Sequence, residues 1–449
     1  MKLAVIGGGG FRTPLLVAGL IARRERLPVD WVVLHDLDAT ALEVVAALAD
    51  VMLARSGRLF RVRTTTDLDE ALDSPAFLIT SIRVGGLEGR IIDEQVPLAH
   101  GVIGQETTGP GGWAMALRTI PVLRDIAARL RRSAPDAWII NFTNPAGLIT
   151  QALVSSGEPR VIGICDSPPA LADRIAAALG LPASAMRLDY LGLNHLGWVR
   201  AVWVDGTDRL PDILARDEVV RSVYGRPLFE PDEVRRLGLL PNEYLHYYYH
   251  HDEALRRLRR APQTRGQAVA QMAARLRGAV LDALARGEDP WSVYEQAVFA
   301  RRSSYMATET GRARDLAMMG GHVEGGYARV ALGVIEAMLH SDQREVIVNT
   351  VNRGAIDDFA EDDVVEVPCR LGRDGPHPRP MGSMPGQVRD LAVRVKAYER
   401  QTVAAALTGS WQTAVEALRA HPLLPSPAVA DAVAEDLRYR HAPRLDYLH

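Results

Sequence analysis

Along the first 195 residues, short apolar runs alternate with segments whose apolar positions recur every three to four residues. The runs at 3–6, 31–34, 77–82, 138–142, 161–164 and 190–193 have the length of strands, and the segments between them read as helices. In 121–132, for example, Leu123, Ile126, Ala127 and Leu130 share one side. Strand and helix in alternation predict an α/β domain over 1–195, a doubly wound parallel sheet with helices on both faces. From 196 onward the pattern shifts to long helical stretches at 267–286, 329–339 and 386–407, with short strand candidates at 347–351 and 364–368. This half, 196–449, reads as a second, mixed α/β domain for catalysis and oligomerisation. The Gly- and Pro-rich stretch 372–385 reads as a loop, and there is no internal repeat or low-complexity tract.

Composition narrows the classes of function. A chain of 449 residues, 47% hydrophobic and 24% charged, has enough apolar material for a large core. A formal charge of −3 gives no overall attraction to nucleic acid or to an anionic membrane, and neither is expected as a partner. No run reaches the roughly 20 apolar residues of a membrane helix. Met1 and Lys2 lead straight into the first strand, so no signal peptide is expected. Two cysteines, Cys165 and Cys369, make no disulfide framework and suit a reducing compartment, which predicts the cytoplasm.

The first strand runs into Gly7-Gly8-Gly9-Gly10, then Phe11, Arg12, Thr13 and Pro14 and a helix, while Asp36 ends the second strand. Glycines here let backbone N–H groups approach a pyrophosphate at a helix N-terminus, and the carboxylate suits the adenosine ribose. Gly7 to Gly10, Phe11, Arg12 and Asp36 are therefore the candidate NAD site of a Rossmann-type domain. Arg12 stands where the third glycine of the usual fingerprint would be, which leaves NADP or another anion open.

Ligands of an open parallel sheet sit beyond the carboxyl ends of its strands. Three predicted ends carry chemistry: 141–145 (Asn-Phe-Thr-Asn-Pro), 165–168 (Cys-Asp-Ser-Pro) and Asn194-His195. Each alone has a plainer reading as a turn, a buried thiol or a structural histidine; together, at neighbouring ends of one sheet, they point to one cleft. A thiolate from Cys165 and an imidazole from His195 could hold one divalent metal, with positions left for water and substrate oxygens. The run 101–112, rich in Gly, Thr and Gln, reads as a loop closed over a ligand. The segment 240–251 gathers tyrosines and histidines, which by default pack and hydrogen-bond.

These features together resemble glycoside hydrolase family 4, and within it the 6-phospho-β-glucosidases. The similarity runs nearly end to end: the glycine turn, 83–86, 101–112, 117–121, 141–147, Cys165, Asn194-His195, the Tyr244 segment, 325–327 and 364–369. The resemblance implies an NAD-binding Rossmann domain, a C-terminal domain like that of lactate and malate dehydrogenases, Mn²⁺ or another divalent metal on Cys165 and His195, and a homodimer or homotetramer. It also implies a reaction without the usual carboxylate pair. NAD⁺ takes hydride from C3 of the sugar, a base removes the acidified C2 proton, the C1 group is expelled, water adds, and the hydride returns.

By position in the motif Tyr244 is the C2 base, with Tyr247 as the alternative and His246 or Arg83 as the cation that favours its phenolate. Asn144 would hold sugar hydroxyls, Asn194 would support metal and substrate, and Arg83, Arg301, Arg302 and Ser303 would receive a 6-phosphate. Asp166 bears on the anomer. In α-acting members an Asp here looks like the general acid, where β-acting members often have Asn; capping the next helix is the competing role. The family also includes members acting on unphosphorylated glycosides. A net 2-hydroxy acid dehydrogenase would share the first domain but has no use for Cys165 beside His195.

Overall fold

The computed structural model describes residues 1–225, 227–313, 325–341 and 344–449. Its strands are β1 (Lys2–Ile6), β2 (Trp31–His35), β3 (Arg61–Thr65), β4 (Phe77–Thr80), β5 (Trp138–Asn141), β6 (Val161–Gly163), β7 (Arg187–Leu193), β8 (Leu196–Val204), β9 (Thr207–Asp208), β10 (Leu240–Pro241), β11 (Glu345–Val351), β12 (Val364–Gly372) and β13 (Gly375–Pro378). The main sheet has nine strands in the order β13-β12-β11-β6-β5-β4-β1-β2-β3. From β3 to β6 the pairing is parallel, with β1 between β2 and β4. Every residue of β4, β5 and β6 is buried, as a parallel sheet covered on both faces requires. The doubly wound α/β architecture is therefore as expected, and the long helices Arg265–Ala285, Gly325–His340 and Gly386–Thr408 lie close to the periodic stretches in the second half. Among the described residues no helix is long and apolar enough to cross a membrane.

Four features differ from the sequence pattern. β3 is an edge strand whose five residues are all exposed or half-buried, so it carries no apolar run to betray it. The stretch 372–385 is not all loop: β13 pairs antiparallel with β12 at the other edge, where the missing N–H groups of Pro376 and Pro378 are tolerated. The helix Gly109–Ser133 begins inside the run read as a loop. A Cβ on Gly111 would meet Gln105 O at 2.2 Å, and one on Gly112 would meet Thr107 O at 2.4 Å, so glycine there lets the helix pack onto the preceding turn.

The fourth difference moves part of the site. The run 190–193 does not join the parallel sheet; β7 and β8 form an antiparallel hairpin in a second sheet of order β10-β8-β7. Asn194 and His195 are its two-residue turn, between paired Leu193 and Leu196. They thus reach the cleft from a second sheet, not from a neighbouring strand end. The division at 195/196 falls inside this turn, and β11 to β13, from the second half, extend the first sheet. β7 packs against β12, bringing the two sheets together beside the hairpin turn.

Candidate active site

The nucleotide end is built from backbone. Gly7 and Gly8 N–H donate to His35 O at 2.9 and 2.7 Å, which folds the turn against the end of β2. Gly7 has φ +93°, and a Cβ there would lie 2.3 Å from Ser81 O, so no other residue fits. Asp36 accepts from Gly9 N–H at 3.0 Å and from Asp38 N–H at 3.2 Å, which fixes its carboxylate beside the turn. Arg12 occupies the N-cap of helix Thr13–Ala22. Its guanidinium reaches Asp166 at 3.5 Å and lies over the Phe142 ring at 5.3 Å. Asp166 sits at the N-cap of helix Ser167–Leu179 but makes no capping bond, so its carboxylate is turned to Arg12 instead.

Cys165 follows β6 and is buried; Ser167 N–H points to its sulfur at 3.5 Å. Burial foremost, then the charges of Glu366 and Asp166, push its thiol well above the usual value. A bound cation opposes all of these. His195 adopts φ +63°, the left-handed conformation that tight hairpins demand and histidine seldom takes. Its Nδ1 lies 3.2 Å from Thr107 Oγ1. That hydroxyl donates its own hydrogen to Gln105 Oε1 at 3.0 Å, so it accepts from His195 Nδ1–H. Nε2 therefore keeps its lone pair, and burial holds the imidazole down to about 4, neutral at physiological pH. A thiol and an imidazole of this kind fit a divalent metal. Among the described residues no group of three or more His, Cys, Asp and Glu assembles, so water and substrate would complete the coordination.

Tyr244 lies flat on His195, ring centroids 3.7 Å apart and planes within 8°. It sits in a single turn, Glu243–Leu245, whose N-cap Asn242 accepts from Tyr244 N–H at 3.1 Å. Its hydroxyl accepts from Tyr305 Oη at 2.7 Å. Burial, then Tyr305, Cys165 and Asp166, push the phenol well above its usual value, so a phenolate requires a cation. The cations coupled to it are Arg12 and Arg90. Of the stabilisers expected from the sequence, His246 bonds Leu228 O and stacks on His250, while Arg83 pairs with Glu106 and Met115. Tyr247 donates to Glu309 at 2.8 Å, so of these two tyrosines it is Tyr244 that lies against His195.

Arginines crowd the neighbouring region. Glu106 pairs with Arg83 and with Arg90 at 3.1 Å; despite burial, Arg83, Arg90, Arg301 and Arg12 pull its carboxyl down to about 2. Arg301 stacks over Phe11 at 4.7 Å, and no carboxylate among the described residues pairs with it. Burial and the neighbouring Arg12, Arg90 and Arg265 push it down to about 9. Positive charge is in excess here, as an anion site requires. Ser303, by contrast, bonds back to Ala300 O within its helix. Asn144, half-buried, lies in the turn after β5, next to the buried Asn141 and Thr143 that bond one another.

Comparison with known proteins bears on this arrangement. The family 4 glycosyl hydrolase model matches residues 2–181, and the model of that family's C-terminal domain matches 190–424. A 6-phospho-β-glucosidase of Escherichia coli is 33% identical over 98% of this chain and 95% of its own. The chain belongs to family 4 of the glycosyl hydrolases. A phospho-α-glucosidase of Clostridium acetobutylicum is also similar, at 30% identity over 97% of this chain and 96% of its own. Among solved structures, the 6-phospho-β-glucosidase of Thermotoga maritima with manganese, NAD⁺ and glucose-6-phosphate aligns over 100% of this chain and 99% of its own, at 28% identity and a TM-score of 0.81. Malate dehydrogenase of Plasmodium falciparum shares the fold alone, at 11% identity and a TM-score of 0.51 over 91% of this chain and 99% of its own.

In this family 4 hydrolase the structure adds residues that sequence reasoning missed. Thr107, which sets the His195 tautomer, and Glu106 lay within a stretch read as a loop closed over a ligand, with neither residue given a role. Tyr305 had no signal. Glu366 had one: an acid in the apolar run Val364-Val365-Glu366-Val367. It is 1% exposed, and burial pushes it up to about 7 although Tyr190, Asn349 and Asn194 all donate to it.

Proposed function

We propose that this family 4 glycosyl hydrolase is an NAD- and Mn²⁺-dependent 6-phospho-β-glucosidase of the cytoplasm, acting as a homodimer or homotetramer. The carrying observation is the stacked pair of His195 and Tyr244: a neutral imidazole with Nε2 left free, lying on a buried phenol beside Cys165. When bound, NAD⁺ would supply the hydride acceptor for C3 and the metal a Lewis acid for the resulting ketone. Cys165 and His195 hold the metal, Asn194 supports that side of the sugar, and Asn144 takes its hydroxyls. Tyr244 receives the C2 proton, with Tyr305 donating a hydrogen bond to the same oxygen. Gly7 to Gly10, Phe11 and Arg12 form the pyrophosphate turn, and Asp36 faces the ribose. Arg301, which makes no ion-pair contact with a carboxylate of the described residues, receives the 6-phosphate together with Arg83. Both cysteines are free, in keeping with a reducing compartment.

One observation favours a second substrate. Asp166 makes no capping bond and faces the cleft beside Arg12, where a general acid for a 6-phospho-α-glucoside would stand. Release of nitrophenol from the α- and β-glucosides, each with and without a 6-phosphate, separates the readings. The β-linked 6-phosphate is expected to be cleaved fastest and only with NAD⁺ and Mn²⁺ present. Faster α-cleavage selects the second reading; cleavage without NAD⁺, or NADH accumulating with turnover, removes both.

A further inference from the structure

Glu366 lies where the two sheets meet, and both its oxygens are taken. Oε2 accepts from Tyr190 Oη at 2.9 Å; Oε1 accepts from Asn349 Nδ2 at 2.9 Å and from Asn194 Nδ2 at 3.4 Å. Each donor leads on. Asn194 is the partner of His195 in the hairpin turn, and its Oδ1 accepts from Gly147 N–H at 3.4 Å. Tyr190 Oη accepts in turn from Asn242 Nδ2 at 3.2 Å, and Asn242 Oδ1 holds the backbone N–H of Tyr244. Glu366, Tyr190, Asn349 and Asn242 are all at most 1% exposed. A carboxylate is costly in such a place, and an apolar side chain would fill it at lower cost. What the carboxylate provides is acceptor capacity for donors from different elements, which no apolar residue has and glutamine only half has.

We propose that Glu366 is a positioning residue that sets both members of the catalytic pair, orienting His195 through Asn194 and Tyr244 through Tyr190 and Asn242. The inference rests on the reading of Cys165 and His195 as metal ligands and Tyr244 as base. Glu366→Met keeps a similar volume and removes both acceptor oxygens, so both branches lose their shared partner. Groups that orient metal ligands commonly contribute ~10- to 100-fold in metal affinity.

The test is Mn²⁺ titration followed by electron paramagnetic resonance, with NAD⁺ affinity from tryptophan quenching on the same samples. Glu366→Met is expected to weaken Mn²⁺ binding ~10- to 100-fold while NAD⁺ binding stays within about twofold of wild type. Tyr190→Phe cuts only the Tyr244 branch. It is expected to lower kcat about tenfold at unchanged KM with Mn²⁺ affinity retained, and it carries the test should the Met variant not fold. Equal weakening of NAD⁺ and Mn²⁺ in Glu366→Met, or a Tyr190→Phe enzyme with wild-type kcat, overturns the proposal as a mere structural role. Wild-type Mn²⁺ affinity in Glu366→Met, alongside its loss in Cys165→Ser, overturns the proposal alone. Retained affinity in Cys165→Ser and His195→Ala overturns the metal-ligand reading beneath it.

Discussion

The two ends of the cleft are made in different ways. The nucleotide turn is one continuous piece of chain, β1, the glycines and the helix Thr13–Ala22, and its contacts to β2 come from backbone N–H groups. The end proposed for the sugar is drawn from Cys165 after β6, His195 on a hairpin of the second sheet, Tyr244 in a single turn, and Arg83 and Arg301 around Glu106. Its side chains are held by buried hydrogen bonds between segments far apart in sequence. A site made of backbone depends on conformation, which glycine and the strand order set locally. A site made of buried side chains depends on long-range polar partners, and one lost partner should disturb chemistry while leaving the nucleotide turn untouched.

Removing one of the proposed metal ligands tests that separation most severely. Cys165→Ser and His195→Ala are expected to lose Mn²⁺ binding and ~10⁴-fold or more in kcat, an effect of several kcal/mol, with NAD⁺ affinity unchanged. Parallel loss of NAD⁺ binding, measured by fluorescence titration, would join the two regions into one unit. Tyr244→Phe is next: about 10²- to 10³-fold lower kcat with Mn²⁺ and NAD⁺ affinity retained, since only proton transfer is removed.

His195 also carries a pH signature. Its imidazole, held at about 4 against an ordinary 6.5, stays neutral where the unfolded chain takes up a proton. The metal-free fold therefore loses stability as pH falls from about 6.5 to about 4, by on the order of 3 kcal/mol for this group. Urea unfolding at pH 7 and pH 4 should show a shallower decline in His195→Asn by roughly that amount. A decline equal to wild type would mean that the imidazole protonates freely in the fold. The smallest effect expected is at Arg301. Arg301→Met should raise KM for a 6-phosphorylated glucoside by ~10- to 100-fold, the scale of one charge-assisted hydrogen bond, and leave an unphosphorylated glucoside unaffected.

The same contrast decides what could be read in the sequence. β1, β2, β4, β5 and β6 were legible because four or more of five residues, or all of them, are buried and apolar runs mark them. β3 and β13 were not, because edge strands exposed to solvent or rich in Gly and Pro carry no such run. The run 190–193, within β7, was assigned to the wrong sheet because a strand's own pattern does not say which strand it pairs with. At the end proposed for the nucleotide, Gly7 to Gly10 and Asp36 stood out by spacing, and the fold brings Gly9 N–H to the Asp36 carboxylate. At the sugar end, Cys165, His195 and Tyr244 stood out by type, but their supports did not. The sequence offered His246 and Arg83 as cations for Tyr244, whereas Arg12 and Arg90 are the arginines whose charge acts with it in the fold. Thr107, Tyr305 and Asn242 act through hydrogen bonds to residues far away in the chain, His195, Tyr244 and Tyr190 in turn, and no local pattern marks such residues.

The most direct measurement is turnover in D₂O of the preferred 6-phosphoglucoside with NAD⁺ and Mn²⁺, reading deuterium in the sugar product by NMR while following NADH by absorbance. Deuterium at C2 with no NADH build-up is the predicted result, because in the proposed reaction Tyr244 removes that proton and the cofactor is restored in each cycle. Hydrolysis with protium retained at C2, or NADH formed in proportion to product, would contradict it.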